Sequence, residues 1–317
     1  MLWGSELYYW FNMGVPLFIL ISAELCARQD SQDKTRQEET TCCAHDLCHK
    51  FKKILFPYYV YLGIVFVMGI CLGYRVNIIE LVRYIFVLQG IVLNFPASFA
   101  PTHTMGHLWY ITYVLIIYGL TPFLRTLESK WEIPYGKVLT MCLLMFFFQV
   151  VLNRLFNIAI FYTWFVPLYI AGYVYFRNNQ YSEKRLGVYL FLCLISLCGR
   201  AFFRVLILKH ATYLTFPGSS FMTGVCYGIS EALSGVFLYF LLRCVFSTLS
   251  LVRITKILVF SDRCSYSIYL THMLGILLAF RLAAGFPKII QGGAAVLLCI
   301  PIGFLFYNAT SAILKKI

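Results

Sequence analysis

The sequence predicts an all-α fold: a polytopic transmembrane helix bundle of about nine crossings, plus one short non-crossing or re-entrant helix. Three observations carry that reading. Of 317 residues, 61% are hydrophobic and 12% charged, about half the charge of a soluble domain, so the chain cannot clothe its surface in polar groups. Apolar runs near the ~20 residues needed to cross ~30 Å of hydrocarbon recur from end to end. The basic residues between those runs are unevenly shared between alternate loops, as in membrane proteins.

The apolar segments lie at 8–27, 54–73, 83–95, 107–124, 137–152, 157–176, 187–208, 221–243, 264–281 and 289–311. The third, as a helix, is only ~20 Å long and cannot cross unaided. If it does not cross, 18 of the 26 Lys and Arg fall on one side and 6 on the other, with Arg200 and Arg204 inside a span. If it crosses, the sides hold 10 and 14 and the bias vanishes. The first arrangement puts the C-terminus in the cytosol and a short leading tail, which carries Glu6 and no Lys or Arg, outside. An odd number of crossings is also what a bundle shows when one leading helix is lost.

The net charge of +13 would suggest nucleic acid in a soluble protein. Here it orients helices and meets anionic lipid, and no nucleic-acid partner is expected. The 12 Cys are mostly scattered singly through apolar stretches, as small core residues rather than a disulfide framework. No internal repeat or separate soluble domain appears, so residues 1–317 read as one membrane-embedded domain. Its main polar stretch is 28–53, RQDSQDKTRQEETTCCAHDLCHKFKK.

Ionisable groups within spans are costly, and each is a functional candidate. Counting ~1.5 Å per residue places Ser22 and Glu24 in the cytoplasmic third of the first span. The same count puts His272 in the cytoplasmic half of 264–281. Arg200 and Arg204 share a face toward the outer end of 187–208, and Glu231 lies about midway along the next span, within reach of Arg200. That set is either a structural ion pair stitching two helices or a substrate-binding group. Lys50 and Lys53, three apart at the inner surface, form a cationic face that anchors the helix or holds phosphates. His103 and His107, at i and i+4 near the outer interface, could ligate metal, but no third ligand is evident. Cys42, Cys43, His45, Cys48 and His49 are zinc-type ligands without a paired C-x₂-C spacing, so no metal is expected. Neither G-x-S-x-G, Walker A nor G-x-G-x-x-G occurs.

Four stretches, in order, resemble the motifs of acyltransferase family 3, a group of integral membrane O-acyltransferases. VPLFILISA (15–23) resembles V-P-L-F-F-x-I-S-G, and KFKKILFPYY (50–59) resembles R-x-x-R-I-x-x-P-Y. GHLWYITYVLIIYGLTPFLR (106–125) is similar to H-L-W-[FY]-L…Y-x-L-x-P-x-L-R, and SYSIYLTH (265–272) is similar to S-Y-x-I-Y-L-x-H. The resemblance covers essentially the whole chain. It implies a ten-helix bundle with both ends cytosolic, in a bacterial plasma membrane. The implied reaction moves an acetyl or other acyl group from acyl-CoA, as donor substrate, to a hydroxyl of a surface or exported glycan, with no bound cofactor.

The departures from the pattern are specific. Lys50 and Lys53 stand where the family has arginines, keeping charge but losing the bidentate phosphate grip. Ser22 and Ala23 stand where it has S-G. The family's catalytic His, carried on a helix before V-P-L-F, has no counterpart in the residues preceding Val15. Among the remaining side chains His272 is the best substitute base, with His107 second. Two other functions are compatible with the residues: an inactive paralogue that partners a polysaccharide-synthesis complex, and an exporter of lipid-linked or polymeric sugar.

Overall fold

The computed structural model describes residues 14–33, 42–73, 78–89, 106–131, 134–156, 165–178, 186–213, 219–248 and 252–316, and every regular element among them is helical. In chain order these are α1 (Gly14–Asp33), α2 (Cys42–Cys71), α3 (Ile78–Ile85), a 3₁₀ turn (Gly106–Leu108), α4 (Trp109–Trp131), α5 (Tyr135–Phe156), α6 (Phe165–Asn178), α7 (Leu186–Tyr213), α8 (Ser219–Thr248), α9 (Val252–Leu282) and α10 (Lys288–Leu314). Among the described residues, four stretches are long and apolar enough to cross a membrane: Leu47–Cys71, Trp109–Leu127, Ile229–Phe246 and Ile289–Leu314. Tyr135–Met145 and Gly187–Phe202 are apolar but shorter. The protein is a multi-span membrane protein, with Ile289, Leu297 and Leu305 of α10 exposed.

Three expectations about boundaries need correction. The polar stretch 28–53 is largely helix: α1 continues to Asp33 and α2 begins at Cys42. Hydropathy ends at the membrane surface, but nothing there breaks a helix, because residues 28–53 contain neither Gly nor Pro. Glu24 and Arg28 instead form an i,i+4 ion pair at 2.6 Å across that boundary. Second, the apolar run 54–73 does not begin a helix: Pro57 lies well inside α2, where its ring removes the hydrogen bond that Lys53's carbonyl would accept. Third, a short helix, α3, runs Ile78–Ile85 and ends inside the run 83–95, whose residues 90–95 lie outside the described residues. It is ~12 Å long and is followed by a turn in which Val87 takes φ 55°.

The chain forms two compact units: residues 1–39 with 119–250, and residues 40–118 with 251–317. In the first, α1 packs against α6 and α8, α5 against α6, and α7 against α8. In the second, α9 and α10 form the main pair and α2 packs on both. Lipid tails are as apolar as the side chains, so helices here associate by close fit. A Cβ on Gly303 of α10 would lie 2.7 Å from the Cα of Ile268, and one on Gly275 of α9 would lie 3.0 Å from the Cα of Cys299. The two backbones therefore touch at two levels. Gly235 of α8 does the same for Pro16 of α1, with 2.3 Å left for a methyl against the proline Cβ.

The second unit's core is Tyr58, Tyr61, Leu62, Val65, Val87, Leu108, Ile111 and Leu270, drawn from α2, α4, α9, the 3₁₀ turn and the turn after α3. Tyr266 Oη donates to the Ile54 carbonyl at 2.9 Å, holding α9 to α2. Gly303→Ala should lower stability by about 1–3 kcal/mol, as overpacking does. Gly292→Ala, whose methyl meets open space, should not. Thermal unfolding of the two variants in one detergent checks the difference.

Candidate active site

In the second unit, α2 and α4 present side chains to each other at two levels with one antiparallel register. Lys50 lies over the Tyr118 ring, 5.9 Å from its centroid, within cation–π range. Eleven residues along α2, the Tyr61 ring stands edge-on to His107 at 6.0 Å, and His107 is eleven residues before Tyr118. The cationic level and the imidazole level are thus separated by roughly 16 Å of helix.

At the imidazole level, His107 meets His272 of α9, ring centroids 4.6 Å apart and planes inclined by 68°. Counting residues had set these two at different depths, and their contact overturns that expectation. α9 begins at Val252 rather than 264, and His272 sits ~30 Å along it. Its true level is that of the 3₁₀ turn before α4.

The hydrogen bonds fix both tautomers. His107 Nε2 lies 3.0 Å from the Leu270 carbonyl, and His272 Nδ1 lies 2.6 Å from the Tyr269 carbonyl one turn earlier. A carbonyl only accepts, so each of these nitrogens carries the proton, and in the neutral ring the other is a lone-pair base. His107 Nδ1, the basic nitrogen, is buried with no hydrogen-bond partner among the described residues. Tyr269 locks the arrangement: its hydroxyl donates to the His107 carbonyl, and its ring lies 5.3 Å from His107 and 5.5 Å from Tyr110. Cys299 of α10 donates its thiol to the His272 carbonyl at 3.2 Å. Aromatic rings therefore flank two positioned imidazoles that present base nitrogens.

The other residues singled out from sequence fall as follows. Lys53 is exposed and Lys50 half-buried, both on the early part of α2. Cys48 and His49 are exposed. The side chains of Cys42, Cys43, His45 and Arg204, and all of His103, lie outside the described residues; among the described residues no metal-ligand cluster occurs. In the first unit, Glu24 Oε1 binds Arg28 and Arg243, each at 2.6 Å, while Tyr239 donates to Oε2. Glu24 is thereby engaged as a clamp between α1 and α8, with Ser22 half-buried two residues earlier. Arg200 Nη2 and Glu231 Oε1 lie 3.4 Å apart, their side chains 3% and 6% exposed, and join α7 to α8.

Sequence reasoning missed Tyr239 and Arg243, which form an i,i+4 pair that could have been read as one helix face, and Tyr269, which lies at i−3 from His272 within the quoted motif. It also missed Gln89, for which no sequence signal exists.

A family model described as an acyltransferase domain, that of the acyltransferase 3 group, matches residues 1–308. The chain belongs to the acyltransferase 3 family. No match was found among curated proteins or among solved structures. The matched acyltransferase domain contains both imidazoles, both lysines and the Arg200–Glu231 pair. Acyl transfer needs a base to take a proton from the attacking group and donors for the oxyanion that develops. Of the groups described, His107 and His272 have the lone pairs and the fixed geometry for the first task.

Removing one partner of a buried ion pair strands the other, so Glu231→Ala should cost about 3–5 kcal/mol. The apolar pair Arg200→Met with Glu231→Leu should restore most of that stability, measured by thermal unfolding. If the restored variant keeps its activity, the pair stitches helices; if it folds and is inactive, the pair serves substrate.

Proposed function

We propose that this protein is a membrane O-acyltransferase that moves an acetyl or other acyl group from acyl-CoA to a hydroxyl of a cell-surface or exported glycan. We place it in a bacterial plasma membrane, with the whole chain acting as one domain of about nine crossings and a cytosolic C-terminus. The observation that carries the reading is the contact of His107 with His272, each imidazole held by an α9 carbonyl and each with a base nitrogen left over.

The chemistry follows from that geometry. His107 Nδ1 takes the proton of the acceptor hydroxyl as its oxygen attacks the thioester carbonyl. The tetrahedral oxyanion collapses, the carbon–sulfur bond breaks, and the departing thiolate recovers the proton from the imidazolium. His272, in ring contact, keeps the His107 imidazole in place. The acyl ester and free thiol leave with atoms and charge balanced.

The lysine level supports a coenzyme A donor. Lys50 and Lys53 sit at the end of α2 that the charge bias places in the cytosol, where phosphates would approach. The ~16 Å from there to the imidazoles is a length that an extended pantetheine arm can bridge. The lysines hold phosphate as point charges rather than as forks.

The decisive experiment incubates purified protein in lipid nanodiscs with acetyl-CoA and an oligosaccharide acceptor and looks for an alkali-labile gain of about 42 Da, the mass of an acetyl ester. Transfer should fall by about 10²–10⁴ in His107→Ala, the range for a lost general base. No ester in the wild-type protein would overturn the reading. Sugar uptake into vesicles without thioester would then favour the exporter, and co-purification with a polymer synthase would favour the inactive partner. Separately, Lys50→Ala with Lys53→Ala should raise the KM for acetyl-CoA by about tenfold with kcat little changed, and the Arg double variant should lower it.

A further inference from the structure

Gln89 follows α3 in a segment that is tied into the second unit by hydroxyl groups. Tyr58 Oη donates to the Tyr84 carbonyl at 2.5 Å, Tyr59 Oη to the Ile85 carbonyl at 2.7 Å, and Thr112 Oγ1 to the Val87 carbonyl at 2.6 Å. Val87, β-branched, takes φ 55°, a conformation that such residues adopt only when their surroundings impose it. The result of that strained turn is to drive Gln89 inward, where it is 3% exposed.

The amide's orientation is determined by its partner. Tyr58 has one hydroxyl proton and gives it to Tyr84, so toward Gln89 it can only accept. Gln89 Nε2 is the donor, at 2.5 Å. Oε1 must then point the other way, and it is buried with no hydrogen-bond partner among the described residues. Leaving a buried acceptor bare is costly, and the backbone strain that positions it adds to the cost.

A second bare acceptor belongs to the same core: His107 Nδ1. Tyr58, which holds Gln89, and Tyr61, which stands against His107, are three residues apart on one face of α2 and share the core with Val87 and Leu108. The Cβ atoms of two helix neighbours at that spacing, here the two tyrosines, are about 5–6 Å apart. Both bare atoms accept and neither donates, so the complementary ligand supplies O–H groups. An acyl thioester has none at its reacting end, whereas a polyol or sugar ring has several.

From this, and resting on the transferase reading above, we infer that Gln89 is a positioning and specificity residue for the hydroxylated acceptor: its Oε1 accepts from one hydroxyl while His107 Nδ1 receives the proton of another. The turn at Val87 exists to hold that carbonyl at the level of the imidazoles. Gln89 does no bond-making; it sets which hydroxyl reaches the base.

The test uses the full chain in nanodiscs and two readouts. The first is binding, by calorimetry, of maltotriose, mannotriose and chitotriose, each compared with its per-O-methylated form, which keeps the rings and loses every O–H. At least one trisaccharide should bind the wild-type protein and its methylated form should not. Gln89→Leu should weaken that binding by about tenfold, and Gln89→Glu, which keeps an acceptor oxygen, should recover part of it. The second readout is acetyl transfer, in which Gln89→Leu should raise the KM for the acceptor and leave the KM for acetyl-CoA unchanged.

Binding by Gln89→Leu equal to wild type, equal binding of methylated and free sugars, or no binding of any of the three would overturn the inference. Should Gln89→Leu not fold, Gln89→Glu and Tyr58→Phe, which frees the amide from its orientation, carry the same comparison. Hydroxyl-dependent binding without any ester product would sink the transferase reading while leaving the site intact. Ester formation with no Gln89 dependence would do the reverse.

Discussion

A polar hydrogen inside hydrocarbon has nowhere to go except another group of the protein, and that constraint organises what is described of this chain. It sends the N–H of His107 to Leu270 and that of His272 to its own helix. It sends the hydroxyls of Tyr58, Tyr59 and Thr112 to the carbonyls around α3. Once those donors are committed, the acceptors left over among the described residues are few, and they mark the candidate site. The basicity of the imidazoles is thus a remainder: each ring has one nitrogen occupied by the scaffold and one available to chemistry.

The same constraint governs how the charges are placed. Glu24 is met by two arginines and a tyrosine, which leaves its carboxylate engaged on both oxygens. Arg200 and Glu231 face each other in the fully covered part of the α7–α8 contact. Ion pairs of this kind join helices where lipid gives no hydrophobic incentive to associate. Lys50 differs, with its charge over an aromatic face and its neighbour Lys53 in the open. A cation so placed keeps its capacity to attract an anion.

Packing supplies the precision that hydrogen bonds alone would lack. Gly275 and Gly303 bring α9 and α10 into backbone contact on either side of the turn that bears His272. Cys299, opposite Gly275, reaches the His272 carbonyl. The helix that carries one imidazole is therefore gripped at the level of that imidazole, while Tyr269 grips the turn that carries the other. Two rings from segments some 160 residues apart meet within a few ångströms because each is held by the same stretch of α9.

Composition and the spacing of apolar runs determined by themselves that the chain is helical and resides in a bilayer, because those properties are sums over many residues and tolerate local error. The motif strings likewise sufficed for the family, since they are local in sequence. Helix ends were not legible: hydropathy reports where a segment leaves lipid, and α1, α2 and α9 continue past that point because no Gly or Pro stops them. The meeting of His107 and His272 was not legible because it joins segments 165 residues apart, and counting residues within a span does not report which helices adjoin. Gln89 was invisible for a different reason: its role comes from one shared proton on Tyr58 and a strained turn at Val87. Which atom a buried amide leaves bare is decided only when every other partner is in place.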